Sequence, residues 1–78
     1  MSYKAKIADA AALGVAIQQA RLAAGITQRD LAERLGTTQR YVWELEAGKD
    51  SKAITRIFEA LRETGVTVTL DVPEGPRG

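Results

Sequence analysis

Residues 27–49 read TQRDLAERLGTTQRYVWELEAGK, and this stretch decides the fold. It divides at Gly36 into two short amphipathic segments. The first predicts a helix over Gln28–Leu35 and the second a helix over Gln39–Ala47. Thr27 and Thr38 stand just before these segments, where a hydroxyl accepts an otherwise orphaned backbone N–H. Asp30 follows Thr27 by three residues, a weak form of the capping box. Leu31, Ala32 and Leu35 share one face of the first helix, and Val42 and Leu45 one face of the second.

The outer face of the second helix carries the chemistry. At about 100° per residue, Arg40 and Ala47 lie opposite the Val42/Leu45 direction, with Trp43 and Glu44 turned well outward. Gln39 sits at the side, at the helix N-terminus. Gln and Arg make the bidentate contacts that read adenine and guanine edges in the major groove, and this spacing suits a recognition helix. The same pattern also suits the solvated face of an ordinary α-hairpin, and the pattern alone does not choose between them.

Working outward, Asp9 is placed to cap a helix over Ala10–Ala23, with Leu13, Ile17, Ala20 and Ala24 at helical spacing on its core face. Its alanines favour helix intrinsically. Gly14 within it is either a local weakness or a site of close helix approach, and Gly25 supplies the stop. After Gly48, Ser51 is placed to cap a helix running to about Thr64, with Ile54, Ile57, Phe58 and Leu61 as its apolar stripe. Four helices, each followed by a glycine, make a compact all-α unit.

Val66–Val72 (VTVTLDV) breaks that pattern. It alternates apolar and polar residues and is β-branched, which predicts a strand. A lone strand needs a partner for its backbone groups. The simplest is the same strand of a second copy, with Val66, Val68 and Leu70 as the dimerising residues. The expected organisation is therefore a flexible N-terminal arm over residues 1–8, a helical domain over 9–65, a dimerising strand over 66–72 and a disordered tail over 73–78.

Composition limits the chemistry. With 78 residues the chain is a single domain. It has no cysteine and no histidine, which removes disulfides, thiolate metal sites and the commonest general base. No metal, no cofactor and no enzymatic activity are expected. There is no apolar run long enough for a membrane span and no signal peptide, so a cytoplasmic protein is expected. The formal charge is only +1, so attraction to phosphate would have to come from clustering of Arg29, Arg34, Arg40, Lys49 and Lys52. Asp30, Glu33, Glu44, Glu46 and Asp50 interleave with them, and a positive stripe survives only where those acids face away.

The stretch GITQRDLAERLGTTQRYVWELEAGK resembles the helix-turn-helix of the Cro/CI (Xre) family of bacterial and phage DNA-binding proteins. The matching pieces are Thr27-Gln28, Leu31-Ala32, Gly36, Thr38-Gln39, Val42, Leu45-Glu46 and Gly48-Lys49. The resemblance implies phosphate contacts from Gln28 and Thr38, base-edge contacts from Gln39, Arg40 and Glu44, and a place near the DNA backbone for Lys49. It also implies an ion pair between Arg21 and Glu46 beneath the recognition helix. Trp43 departs from the family, which more often has a small polar residue there. Three places are open to it: a sugar or thymine methyl, a protein partner, or the core.

A domain of this type followed by a VTVTLDV strand resembles the HipB-type antitoxins. That resemblance implies a homodimer knit by C-terminal strands, a palindromic operator in double-stranded DNA upstream of its own operon, and a HipA-like serine/threonine kinase toxin as protein partner. It further implies association with the nucleoid when bound to the operator. A stand-alone phage-type or chromosomal repressor shares every DNA residue, and a protein-interaction module using the same fold is a third reading.

Overall fold

The computed structural model describes residues 1–49 and 51–75. In chain order the elements are β1 (Ser2–Ile7), α1 (Ala10–Ala23), α2 (Gln28–Leu35), α3 (Gln39–Glu46), α4 (Lys52–Glu63) and β2 (Val68–Pro73). Each helix begins where a short polar side chain caps it. Asp9 accepts from Ala12 N at 2.8 Å, Thr38 from Tyr41 N at 3.1 Å, and Ser51 from Ile54 N at 3.2 Å. At α2 the cap is reciprocal: Thr27 Oγ1 accepts from Asp30 N at 3.0 Å while Asp30 Oδ2 accepts from Thr27 N at 2.9 Å. Gly36, with φ of 69°, ends α2 in the left-handed conformation that glycine adopts without a Cβ penalty.

The two ends of the chain differ from what the sequence predicts. Ser2–Ile7 is a strand and not a flexible arm. Nor does β2 depend on a second copy for pairing. It runs antiparallel to β1 of its own chain, with Ile7 opposite Val68, Ala5 opposite Leu70 and Tyr3 opposite Val72. The inference of a lone strand fails because its partner was hidden in SYKAKI. Lysine and alanine are weak strand formers, yet Tyr3, Ala5 and Ile7 alternate with Ser2, Lys4 and Lys6, and that alternation was the available signal. The backbone groups on one edge of β2 thus find partners in the same chain. Pairing starts at Val68; Val66 lies before the strand and is half exposed. Val68 and Leu70 turn inward and pack on the core of their own chain. The ladder ends beyond Pro73, where Glu74 N donates to Met1 O at 2.9 Å. The remainder of the expected disordered tail, residues 76–78, lies outside the described residues, as does Asp50.

The core gathers Ile7, Ala16, Phe58 and Val72, with Ala5, Ala12, Leu13, Ala20, Ile54, Leu61, Val68 and Leu70 against it. It therefore joins the sheet to α1 and α4. Ala32 on α2 and Val42 on α3 are buried as well, Val42 completely. Three residues assigned to core faces do not belong there: Ala24 is exposed, Leu35 is 56% exposed and Ile57 54%.

Gly14 fixes how α3 sits on α1. A Cβ built there would stand 2.6 Å from the carbonyl oxygens of both Leu45 and Glu46. The absent side chain lets the end of α3 rest directly on α1, so of the two readings of Gly14 the structure has close helix approach. Gly48 makes the companion contact. A Cβ there would stand 2.6 Å from Ala11 Cα, and its φ of +74° independently excludes most other residues.

Candidate nucleic-acid interface

The interface is built on α3. Thr38 caps it, Val42 anchors its inner side, and Gly48 turns the chain so that Lys49 N donates to Glu44 O at 3.0 Å. The outer side presents Gln39, Arg40, Trp43 and Glu44. Gln28, Gln39, Arg40, Trp43 and Lys49 line one shallow concavity. Thr38 and Glu44 flank it in sequence, so all seven residues singled out for DNA contact lie on or beside α3.

Beneath this surface Arg21 donates from Nε to Glu46 Oε2 at 2.6 Å and from Nη2 to Glu46 Oε1 at 3.1 Å. Its Nη1 donates to Ile26 O at 2.8 Å, and Gln28 Nε2 donates to Glu46 Oε1 at 3.1 Å. The Arg21–Glu46 pair therefore ties α1, the α1–α2 turn, the start of α2 and the end of α3. Burial works against ionisation of Glu46. Hydrogen bonds from Arg21 and Gln28, with the Arg21 charge, outweigh it and hold the carboxyl below its ordinary value. The same hydrogen bond and charge raise Arg21 against the desolvation that would lower it.

This network changes the account of Gln28, whose amide is partly committed inward to Glu46. The sequence held no local signal for that, because the partners are 18 residues apart. Thr38 Oγ1 accepts the cap hydrogen bond, which leaves the hydroxyl hydrogen to donate outward. Lys49 Nζ stands 5.5 Å from the centroid of the Trp43 ring, within cation–π range. Arg40 Nε is 3.6 Å from Glu44 Oε1, one helical turn away on the same face. Arg29, which the sequence placed among the clustered cations but not among the contact residues, lines the adjoining groove with Gln28 and Gln39. Its place beside Gln28 at the start of α2 was the signal.

Two of the acids that interleave with these cations, Asp30 and Glu46, are occupied elsewhere. Asp30 is engaged in the α2 cap, with its pKa lowered first by the Thr27 backbone hydrogen bond and then by the Thr27 side chain. Glu46 is buried against Arg21. The N-terminus of α3 adds backbone N–H groups and the positive end of its dipole. A low net charge is thereby compatible with a locally positive face.

A helix-turn-helix family profile of the Cro/CI type matches residues 17–70, which takes in α2, α3, α4 and part of β2. No curated protein and no solved structure matches the chain significantly. The matched span covers most of the molecule and contains the capped helix pair with its outward polar face, so the chain belongs to the Cro/CI-type helix-turn-helix family of DNA-binding regulators.

Proposed function

We propose that this protein is a sequence-specific repressor that binds a palindromic operator as a homodimer. The observation that carries the reading is the convergence of Gln28, Gln39, Arg40, Trp43 and Lys49 on one concavity at the exposed side of α3. In this reading Gln28, Thr38 and Lys49 fix the register on phosphates, while Gln39, Arg40, Trp43 and Glu44 meet the base edges. Two copies of α3 enter successive major grooves on one face of the duplex, with half-site centres about 34–36 Å apart or a multiple of that. A bound dimer excludes polymerase by occupancy.

The dimer does not depend on an orphan strand, since β2 pairs with β1. It rests on the economy of reading a two-fold operator with a two-fold protein and on exposed apolar side chains such as Val15 on α1 and Ile57 on α4. The resemblance to HipB-type antitoxins extends the reading: the operator controls the chain's own operon, and the protein neutralises a HipA-like serine/threonine kinase toxin. A stand-alone repressor uses the same DNA surface and differs only in lacking that partner.

The test is a salt-dependent gel shift of the full chain with DNA from upstream of its own gene, alongside its solution mass. A discrete complex with two copies per site supports the proposal. Equal binding to random duplex, or a single copy in solution at concentrations that saturate the operator, overturns it. Co-purification with a kinase encoded alongside separates the antitoxin from the stand-alone repressor.

A further inference from the structure

We propose that Arg40 and Glu44 act together as one reader of a G·C base pair, oriented with the guanine under Arg40 and the cytosine under Glu44. The inference rests on the reading of α3 as a recognition helix and names what part of it recognises. Arg40 Nε lies 3.6 Å from Glu44 Oε1, too far for a hydrogen bond yet close enough for the charges to hold one another. The Arg40 side chain is 82% exposed and that of Glu44 38%, so neither is consumed by the core.

The pattern of donors and acceptors selects the base pair. Across the major-groove edge, G·C presents two acceptors on guanine, N7 and O6, and then one donor, the cytosine amine. The reverse orientation, C·G, presents donor, acceptor, acceptor. A·T presents acceptor, donor, acceptor, and T·A the same reversed. A guanidinium supplies donors only, and an ionised carboxylate accepts only. The sequence donor, donor, acceptor offered by Arg40 and Glu44 complements one of the four orientations. The spacing is compatible, because guanine O6 and cytosine N4 are themselves hydrogen-bonded at roughly 2.9 Å, against 3.6 Å between the Arg40 Nε donor and the Glu44 Oε1 acceptor.

Glu44 also explains itself better as a reader than as surface decoration. On a protein of formal charge +1, a carboxylate turned toward DNA weakens attraction to every phosphate. It earns selectivity by leaving acceptor-bearing edges, such as thymine O4 and guanine O6, facing a negative group.

The experiment begins with the full chain selecting sites from a random duplex pool. The enriched half-site is then rebuilt with base analogues at its G·C positions. N4-methylcytosine keeps the pair but removes the amine hydrogen facing the groove, and 7-deazaguanine removes the N7 acceptor. At one pair, each analogue should weaken the wild-type protein about tenfold or more. Glu44→Ala should be indifferent to N4-methylcytosine there, and Arg40→Ala indifferent to 7-deazaguanine. Glu44→Gln, of the same size without the charge, should bind random duplex more tightly than wild type. Circular dichroism confirms that each variant folds. A wild-type protein that tolerates both analogues everywhere, or a Glu44→Ala variant that stays as sensitive as wild type, overturns the composite reader while leaving the repressor reading intact. Selection of no sequence at all overturns both.

Discussion

Arg21 and Glu46 join α1 to the end of α3 through a two-point ion pair, with Nε–Oε2 at 2.6 Å and side chains only 9% and 3% exposed. Gln28 adds a third hydrogen bond to the same carboxylate. A pair buried this deeply adds little net stability, because desolvation offsets the attraction. Removing one member is another matter, since it strands a charge. Arg21→Ala or Glu46→Ala should each cost about 3–5 kcal/mol, read as a lowered midpoint in urea unfolding with an unchanged slope. Joint replacement of Arg21 and Glu46 by methionine should recover much of that loss. A single-variant cost below about 1 kcal/mol, the range of exposed pairs, would refute the account.

The same carboxylate sets an acid limit on stability. Glu46 titrates below its ordinary value of 4.5 in the folded protein, so folding favours the ionised form. Its contribution is complete above the unfolded value and disappears as pH falls through the folded one. Asp30, also lowered, acts with the same sign. Unfolding free energy should therefore be level from pH 7 to about 5 and decline below that. Glu46→Gln should start lower at neutral pH and decline less steeply in acid. Parallel slopes for the two proteins between about pH 5 and 3 would assign the acid limit to other groups.

The helices were legible because their signals are local. Asp9, Thr27, Thr38 and Ser51 are short polar caps and Gly36 is a left-handed stop, each readable within one turn of the boundary it sets. The outward face of α3 followed from its period. The second strand was legible but its pairing was not, because β1 and β2 lie towards opposite ends of the chain and nothing near either names the other. Ile7 and Val68, opposite each other in the ladder, are separated by the whole helical domain. The finer geometry of the site escaped for the same reason. That Gln28 turns toward Glu46 and that Lys49 settles over Trp43 are facts of packing between elements.

The N-terminal strand is consequently an integral part of the fold. Ile7 is 4% exposed and Val72 2%, and both belong to the central cluster. Ile7→Ala should cost about 2–4 kcal/mol by lost burial and the cavity left behind. Lys4→Ala should cost no more than about 1 kcal/mol, because its 2.7 Å contact with Asp71 is exposed to solvent. Thermal unfolding of the two variants side by side decides the matter. Equal, small effects would mean that β1 frays freely.

Gly14 offers a case where local and tertiary preferences oppose one another. In an isolated helix, alanine is favoured over glycine by about 1 kcal/mol. Here its Cβ would lie 2.6 Å from two backbone carbonyl oxygens of α3, which have no flexible side chain to yield. Gly14→Ala should therefore be destabilising by about 1–3 kcal/mol despite its better propensity. It should also weaken operator binding by displacing the end of α3. A stabilised variant would show that α3 moves away from α1 without cost.

Trp43 and Lys49 make the most specific prediction about the DNA surface. The ammonium stands 5.5 Å from the ring centroid, at the end of the α3 turn, so the indole positions a cation that would otherwise sample many rotamers. Lys49→Ala should lower the slope of log affinity against log salt by about one, the signature of a lost phosphate contact, with no change in preferred sequence. Trp43→Phe keeps an aromatic face and should retain most of the slope, whereas Trp43→Ala should lose part of it through a less ordered Lys49. Affinities of the three variants at several salt concentrations, on one operator and one scrambled duplex, separate the outcomes. A Trp43→Ala variant that keeps the full salt slope would show that the indole has no part in ordering Lys49, whatever it does at the base edges.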